Sequence, residues 1–377
     1  MAQLISLEKC ALALLVLLSV PYQTAGGPAT LKPANASLDA EFSDLTSVRE
    51  LSDGRVLLTD RIENRIFIAN LVTNHVASVG RSGEGPGEYR NALPLFQLAA
   101  DSSVMPGFPD ARWTLLKGDS VVATIPAHDP LLAVVPFLYG ADRNGFLLTI
   151  AEPSGRRSGA NPSASDSTYL VLVTRATSHV DTIGRLGTAV TDLFGSVPSG
   201  QRSPRRFYSV VDHAVMAVDG WVAVVRGHPY RVDWRTPDGR WWQGSQTIDR
   251  PIPMDDRERT AYLDRRAAAA ATVTRGGNRQ PAAPPRPAPI AEWPAMIPPV
   301  VPGWPPMTTE DGLVVIRRTA TSRHSGPLYD IVNRRGVRER QVSMAANTRI
   351  LGFGRTSVYV VTSDADGIQR VSRHPWP

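Results

Sequence analysis

The chain has 377 residues, 42% hydrophobic and 20% charged, a globular balance that excludes a disordered chain. Its net charge is +6, but the positive charge is almost all arginine, since lysine occurs only at Lys9, Lys32 and Lys117. The arginines are scattered and often adjoin acids, as in Asp60-Arg61 and Asp142-Arg143, which argues against the basic stripe of a nucleic-acid binder.

Read from its start, the chain opens with an address. Met1 to Lys9 is polar and ends in a positive charge; Cys10 to Val20 is apolar; Pro21 breaks the run, and small residues follow through Gly27. This is the order of a secretory signal peptide, expected to span residues 1–26 with cleavage after Ala25 or Gly26. Eleven apolar residues are too few to cross a hydrocarbon layer of ~30 Å as a helix. Cys10 is the only cysteine, so the mature chain would hold no disulfide, thiol nucleophile or thiolate metal site. The expected location is periplasmic or extracellular, with no membrane span after cleavage.

From residue 45 onward one pattern recurs, a turn with Asp or Asn before Gly and then an apolar run. Asp53-Gly54 precedes Val56-Leu57-Leu58, Asn144-Gly145 precedes Phe146-Leu147-Leu148, Asp219-Gly220 precedes Val222-Ala223-Val224, and Asp311-Gly312 precedes Val314-Val315-Ile316. Asp101-Ser102 before Val104 is a weaker copy, and Gly354 with Ser357 leads into Val358-Tyr359-Val360. Asp-Gly and Asn-Gly favour hairpin turns, because both residues accept positive φ. The runs are β-branched and apolar on both faces, as fully buried strands are. The turns are 48, 43, 75, 92 and 43 residues apart, and a period of 40 to 50 with several strands per unit is the mark of a β-propeller. A second repeat agrees: Thr73-Asn74-His75-Val76 and Gly80-Arg81 match Thr177-Ser178-His179-Val180 and Gly184-Arg185. The units run roughly 45–90, 91–130, 137–190, 206–250, 307–344 and 347–377. The fold expected is all-β, a six-bladed β-propeller over residues 27–377. In blade two, Met105-Pro106-Gly107-Phe108-Pro109 breaks into a strand and blurs its pairing.

Between the first two units lies Gly80-Arg81-Ser82-Gly83-Glu84-Gly85-Pro86-Gly87-Glu88-Tyr89. A phosphate-binding loop would need Gly-Lys-Ser/Thr before a helix, and no lysine is present. The glycines instead suit close backbone approach where the chain crosses blades. Gly80, Arg81, Gly83, Gly85, Pro86, Gly87 and Glu88 are read as a structural motif, with Glu88 placed to bond Arg81 or backbone amides. This run, after the strand at 51–60, resembles a group of exported bacterial six-bladed β-propeller proteins, similar in layout to NHL-repeat and TolB-type propellers. The resemblance implies a fold and an exported location, not a shared activity.

Two stretches depart from the repeat. Residues 154–167 are a polar loop. Residues 251–306, between blades four and five, hold a helix from Met254 to Arg275 and then a proline-rich run. The arm is expected to be a surface excursion that buries little, with a lid or partner-docking arm as the alternative.

The chemistry is sparse. No His-x-His or His-Glu-x-x-His pair occurs among the seven histidines, and no Gly-x-Ser-x-Gly elbow is present. No cofactor is evident, although a Ca²⁺ or Zn²⁺ ion could assemble from separate blades in the channel. Two basic-aromatic patches suit binding: Arg205 and Arg206 with Tyr208, and Trp241 with Trp242 beside Trp234 and Arg240. The function expected is a non-catalytic binding or interaction propeller outside the cytoplasm, monomeric, with an unknown protein or small-molecule ligand. The alternative is a metal-dependent lactonase- or lyase-like propeller enzyme, and the sequence leaves open whether the chain is an enzyme.

Overall fold

The computed structural model describes residues 27–85, 87–107, 112–135, 137–151, 167–187, 212–246, 249, 252–275, 293–300 and 304–376. The expected signal peptide lies outside them. Six four-stranded antiparallel sheets follow one another along the chain. The first holds β2 (Leu45–Glu50), β3 (Val56–Asp60), β4 (Arg65–Asn70) and β5 (His75–Ser78). The second holds β6 (Phe96–Gln97), β7 (Ser102–Met105), β8 (Trp113–Lys117) and β9 (Ser120–Ile125), so the break at Met105 ends β7 and leaves its pairing with β8 intact. The third is β10 (Gly140–Ala141), β11 (Phe146–Ala151), β12 (Ser167–Thr174) and β13 (His179–Gly187). The fourth is β14 (His213–Met216), β15 (Val222–Gly227), β16 (Tyr230–Arg235) and β17 (Trp241–Trp242). The fifth is β20 (Met307–Thr308), β21 (Val314–Arg317), β22 (Leu328–Val332) and β23 (Arg338–Ser343). First strands of neighbouring sheets touch, β6 with β10, β10 with β14, β14 with β20, and β2 with β24 (Thr348–Phe353) of the last sheet. The chain is a six-bladed β-propeller, with those strands innermost.

Why the strands are apolar on both faces follows from where their side chains go. Val56 and Leu58 pack toward the sixth sheet, while Leu57 between them packs toward the second. Val314 and Ile316 face the fourth sheet, and Val315 the sixth. Six such cores fill the six gaps between blades, so alternation along a strand selects a neighbour instead of separating core from solvent. Gly54, Gly145, Gly220 and Gly312 take φ of 83° to 90° in equivalent turns, the conformation their Asp-Gly and Asn-Gly sequences favour. The outer-strand repeat also holds, since Asn74 and Ser178, at matched positions before β5 and β13, both have φ of 53°.

The arm after β17 is partly core. Helix α1 (Asp256–Arg275) begins where the Asp255 carboxylate accepts from the Glu258 N–H at 2.9 Å. A two-stranded ribbon, β18 (Ile252–Pro253) with β19 (Met296–Ile297), closes its base. Glu258 is buried and accepts from the N–H and hydroxyl of Ser322, both at 2.7 Å. Val300 enters the core between the fourth and fifth sheets. The base of the arm is therefore packed, contrary to an excursion that buries little. An ionic network anchors it further: Asp249 accepts from Arg318 (2.6 Å) and Arg338 (2.9 Å), and the fully buried Asp330 from Arg318, the Tyr230 hydroxyl and Gln341. Counted from the sheet at Leu45, α1 lies between blades four and five. Counted from the sheet that the N-terminal segment enters, it lies between five and six.

That last sheet has the order β1-β26-β25-β24, with β25 at Ser357–Ser363, β26 at Gln369–Pro375 and β1 at Ala36–Ser37. The chain's end supplies three strands and its beginning the outermost fourth. Ala36 pairs with Arg373 and Ser37 with Ser372. Leu38 N–H donates to Val371 O and Phe42 exchanges two bonds with Gln369, all at 2.8–2.9 Å. Leu38 and Phe42 are then buried between the sixth and first sheets. Fully burying two such side chains stabilises by about 3–6 kcal/mol. Deleting residues 27–43 should lower the melting temperature by many degrees, as read by calorimetry. The pair Ser37→Cys and Ser372→Cys should form a disulfide in the chain lacking Cys10, detectable as a loss of free thiol.

Candidate functional site

The strongest candidate among the described residues is a groove between the outer part of blade three and the face of blade four. Its volume is about 360 Å³, and Ile183, Gly184, Arg226, Asp233, Trp241, Trp242 and Gln243 line it. The local sequence explains its floor. Strands β15 and β16 pair so that Val224 opposes Asp233 and Arg226 opposes Arg231. This brings Arg226 Nε to Asp233 Oδ2 (2.8 Å) and Arg226 Nη1 to Asp212 Oδ2 (2.7 Å), while Arg231 Nε donates to Asp233 Oδ1 (2.8 Å). Burial works against the Arg226 charge, and the two carboxylates more than offset it, so its pKa lies above the ordinary value. The guanidinium is thus held rigidly, with Nε and Nη1 engaged.

The tryptophans divide into two roles. Trp234 is fully buried, with its indole N–H donating to Asn333 O at 3.0 Å. Trp242 is half-buried, packs edge-on to Trp221 with centroids 5.0 Å apart, and donates to Arg334 O at 3.0 Å. Both tie blade four to blade five. Trp241 differs: it is 38% exposed, and its ring edge lies over Gly184, where even a Cβ would stand 3.6 Å from Cζ2. The groove therefore offers an exposed indole beside a fixed cation and anion, a composition suited to a ligand with both flat and polar faces. Of the sequence-expected binding residues, Trp241 and Trp242 come together here, while Arg205, Arg206 and Tyr208 lie outside the described residues. Arg226, Asp233 and Gln243 escaped the sequence reading because their meeting depends on strand register.

The glycine-rich crossing is a self-contained loop, with Pro86 outside the described residues. Glu88 accepts from Arg81 Nε and from Gly85 N–H at 2.7 Å. These bonds hold its carboxyl below the usual range. A Cβ at Gly83 would overlap the Glu88 carboxylate, so glycine there makes room for it. Gly80 has φ of 61° and Gly87 of 76°. The buried Tyr89 hydroxyl accepts from Ile66 N–H at 3.0 Å, and Asn64 donates to Ser82 Oγ at 2.7 Å, both returning to blade one. Arg112 donates to Gly83 O and Glu84 O beside a cavity of about 260 Å³. If Gly83 serves the carboxylate, Gly83→Ala should destabilise the protein markedly in the native background and far less beside Glu88→Ala. Denaturant unfolding of the two single variants and the double would measure that coupling.

Among the described residues, no group of three or more His, Cys, Asp or Glu side chains is placed to hold a metal ion, and no helix is long and apolar enough to cross a membrane. No protein-family model and no curated protein matches the chain. Among solved structures it is similar to regucalcin, a calcium-binding protein from Agrobacterium tumefaciens, at 8% identity over 93% of this chain and 97% of that one, with a TM-score of 0.41. It is also similar to a DUF4221-family protein from Bacteroides vulgatus, at 8% identity over 90% and 96%, with a TM-score of 0.49. A third is a catalytically inactive virginiamycin B lyase from Staphylococcus aureus with quinupristin, at 10% identity over 89% and 98%, with a TM-score of 0.43. At such identities the likeness concerns fold alone.

Proposed function

We propose that the protein is a non-catalytic binding or protein-interaction propeller that acts outside the cytoplasm, and that the blade three–four groove is one of its contact sites. The observation that carries this reading is Trp241, an exposed indole set over Gly184 beside the Arg226–Asp233 pair. An exposed aromatic next to pre-oriented charges gives a partner large contact area at small ordering cost. The signal-peptide pattern of residues 1–26 supports action outside the cytoplasm.

The mature protein, applied to arrays of glycans and of extracellular peptides, should retain a ligand whose affinity falls at least tenfold in Trp241→Ala. The same variant should melt within a few degrees of the wild type. Retention that is indifferent to Trp241→Ala would place recognition elsewhere on the ring. A stoichiometric Ca²⁺ or Zn²⁺ in purified protein, with turnover of a lactone or similar substrate, would favour the metal-dependent enzyme instead. The intact mass of exported protein should correspond to a start near Gly26 or Gly27.

A further inference from the structure

Several half-buried arginines in this ring are neutralised at close range. Arg318 reaches Asp330 and Asp249 at 2.8 and 2.6 Å, Arg338 reaches Asp249 at 2.9 Å, and Arg226 and Arg231 reach Asp233 at 2.8 Å. Arg317, next in sequence to Arg318, is different. It ends β21 with its side chain on the face of Val315, toward blade six. Its guanidinium lies 3.8 Å from the ring centre of Trp304, and its Nη1 is buried without a hydrogen-bond partner. Among the described residues it makes no ion pair.

A second guanidinium is close by. Arg317 pairs across the ladder with Tyr329, and the Tyr329 hydroxyl accepts from Ile350 N–H at 3.1 Å, one residue beyond Arg349. Arg349 uses Nη2 alone, on Leu45 O and Gln369 Oε1, and also makes no ion pair among the described residues. Burial pulls both guanidiniums below their ordinary pKa; at Arg349 the Asp44 carboxylate opposes this and the Arg317 charge adds to it. They still remain cationic at any physiological pH. Two half-buried like charges with no carboxylate in ion-pair reach are an unfavourable arrangement, because the desolvation penalty of each is not offset at close range. A cation stacked on indole is only partly compensated. The missing element is negative charge with at least two oxygens, which suits the planar fork of arginine.

We propose that the mouth between blades five and six, where Arg317 lies on Trp304 with the Arg349 charge nearby, binds a small oxyanion, the phosphate or carboxylate group of a soluble ligand. The site is separate from the tryptophan groove and stands or falls independently of it.

The probes are inorganic phosphate and citrate, titrated into the mature protein in a zwitterionic buffer and compared with sodium chloride at equal ionic strength. Phosphate, citrate or both should raise the melting temperature by several degrees beyond chloride, and which of them does so identifies the group. Arg317→Met, which keeps bulk over Trp304, should abolish that response and melt higher than wild type in anion-free buffer. Arg240→Met, at an exposed site, should respond like wild type. The proposal is overturned if neither oxyanion exceeds chloride on the wild type, or if Arg317→Met responds equally. Should Arg317→Met not fold, calorimetric titration of both anions into the wild type decides alone, and absence of heat at millimolar concentrations overturns the site.

Discussion

The pairing of Ala36–Ser37 with Ser372–Arg373 joins the two ends of the described chain and turns a row of sheets into a ring. Each sheet is apolar on both faces, so each needs a neighbour on either side. An open row would leave two outer faces wet and two edges unpaired. Closure removes both faults together. It buries Leu38 and Phe42 in the gap between the sixth and first blades, where Tyr359 and Val361 meet Val56 and Leu58. Side-chain bonds reinforce the same seam: the Tyr359 hydroxyl donates to Glu50 at 2.6 Å and Arg355 to Ser52 O at 2.9 Å. The other five gaps have the same plan, and so each depends on the closed ring for its spacing.

Polar ties repeat around that frame. Ser52 donates to Asp101, Arg143 N–H to Val218 O, and Arg334 to Asp219, so the turn of one blade is pinned to a neighbour. Trp234 and Trp242 reach across to Asn333 and Arg334 in the same way. The arginines that look scattered in the sequence are distributed because the ring is: Arg226 serves Asp212 and Asp233, Arg318 and Arg338 share Asp249, and Arg355 serves Ser52 O. Against this background an arginine with no counter-charge is conspicuous, and an indole left open at Trp241 is equally so.

Much of the architecture was legible because the turns carry their own chemistry. Asp-Gly and Asn-Gly place the left-handed residue at fixed points, and the runs after them can only be buried strands. The fourth strand of the last blade was also legible, from a deficit: three strands at the end and an unpaired segment at Ser37 to Phe42. The packing of the arm was not, since Met254, Glu258 and Val300 show no period and are buried by contacts some twenty to sixty residues away. The groove was half legible. Trp241 and Trp242 stand out in composition, but only the pairing of β15 with β16 brings Arg226 onto Asp233. The unpaired guanidinium at Arg317 could not be read at all, because what marks it is the lack of a carboxylate within reach in space.

The closing pair also fixes an order of events. Its two halves stand more than 330 residues apart, so the bond that completes the ring is among the last that synthesis makes possible. A chain that appears from its N-terminal side presents one half of the clasp long before the other. In between, the leading strand and the two open faces of the growing row would wait exposed. Until both halves are present, the blades between them form an open row with two unpartnered faces, so the ring is completed in one step and not blade by blade.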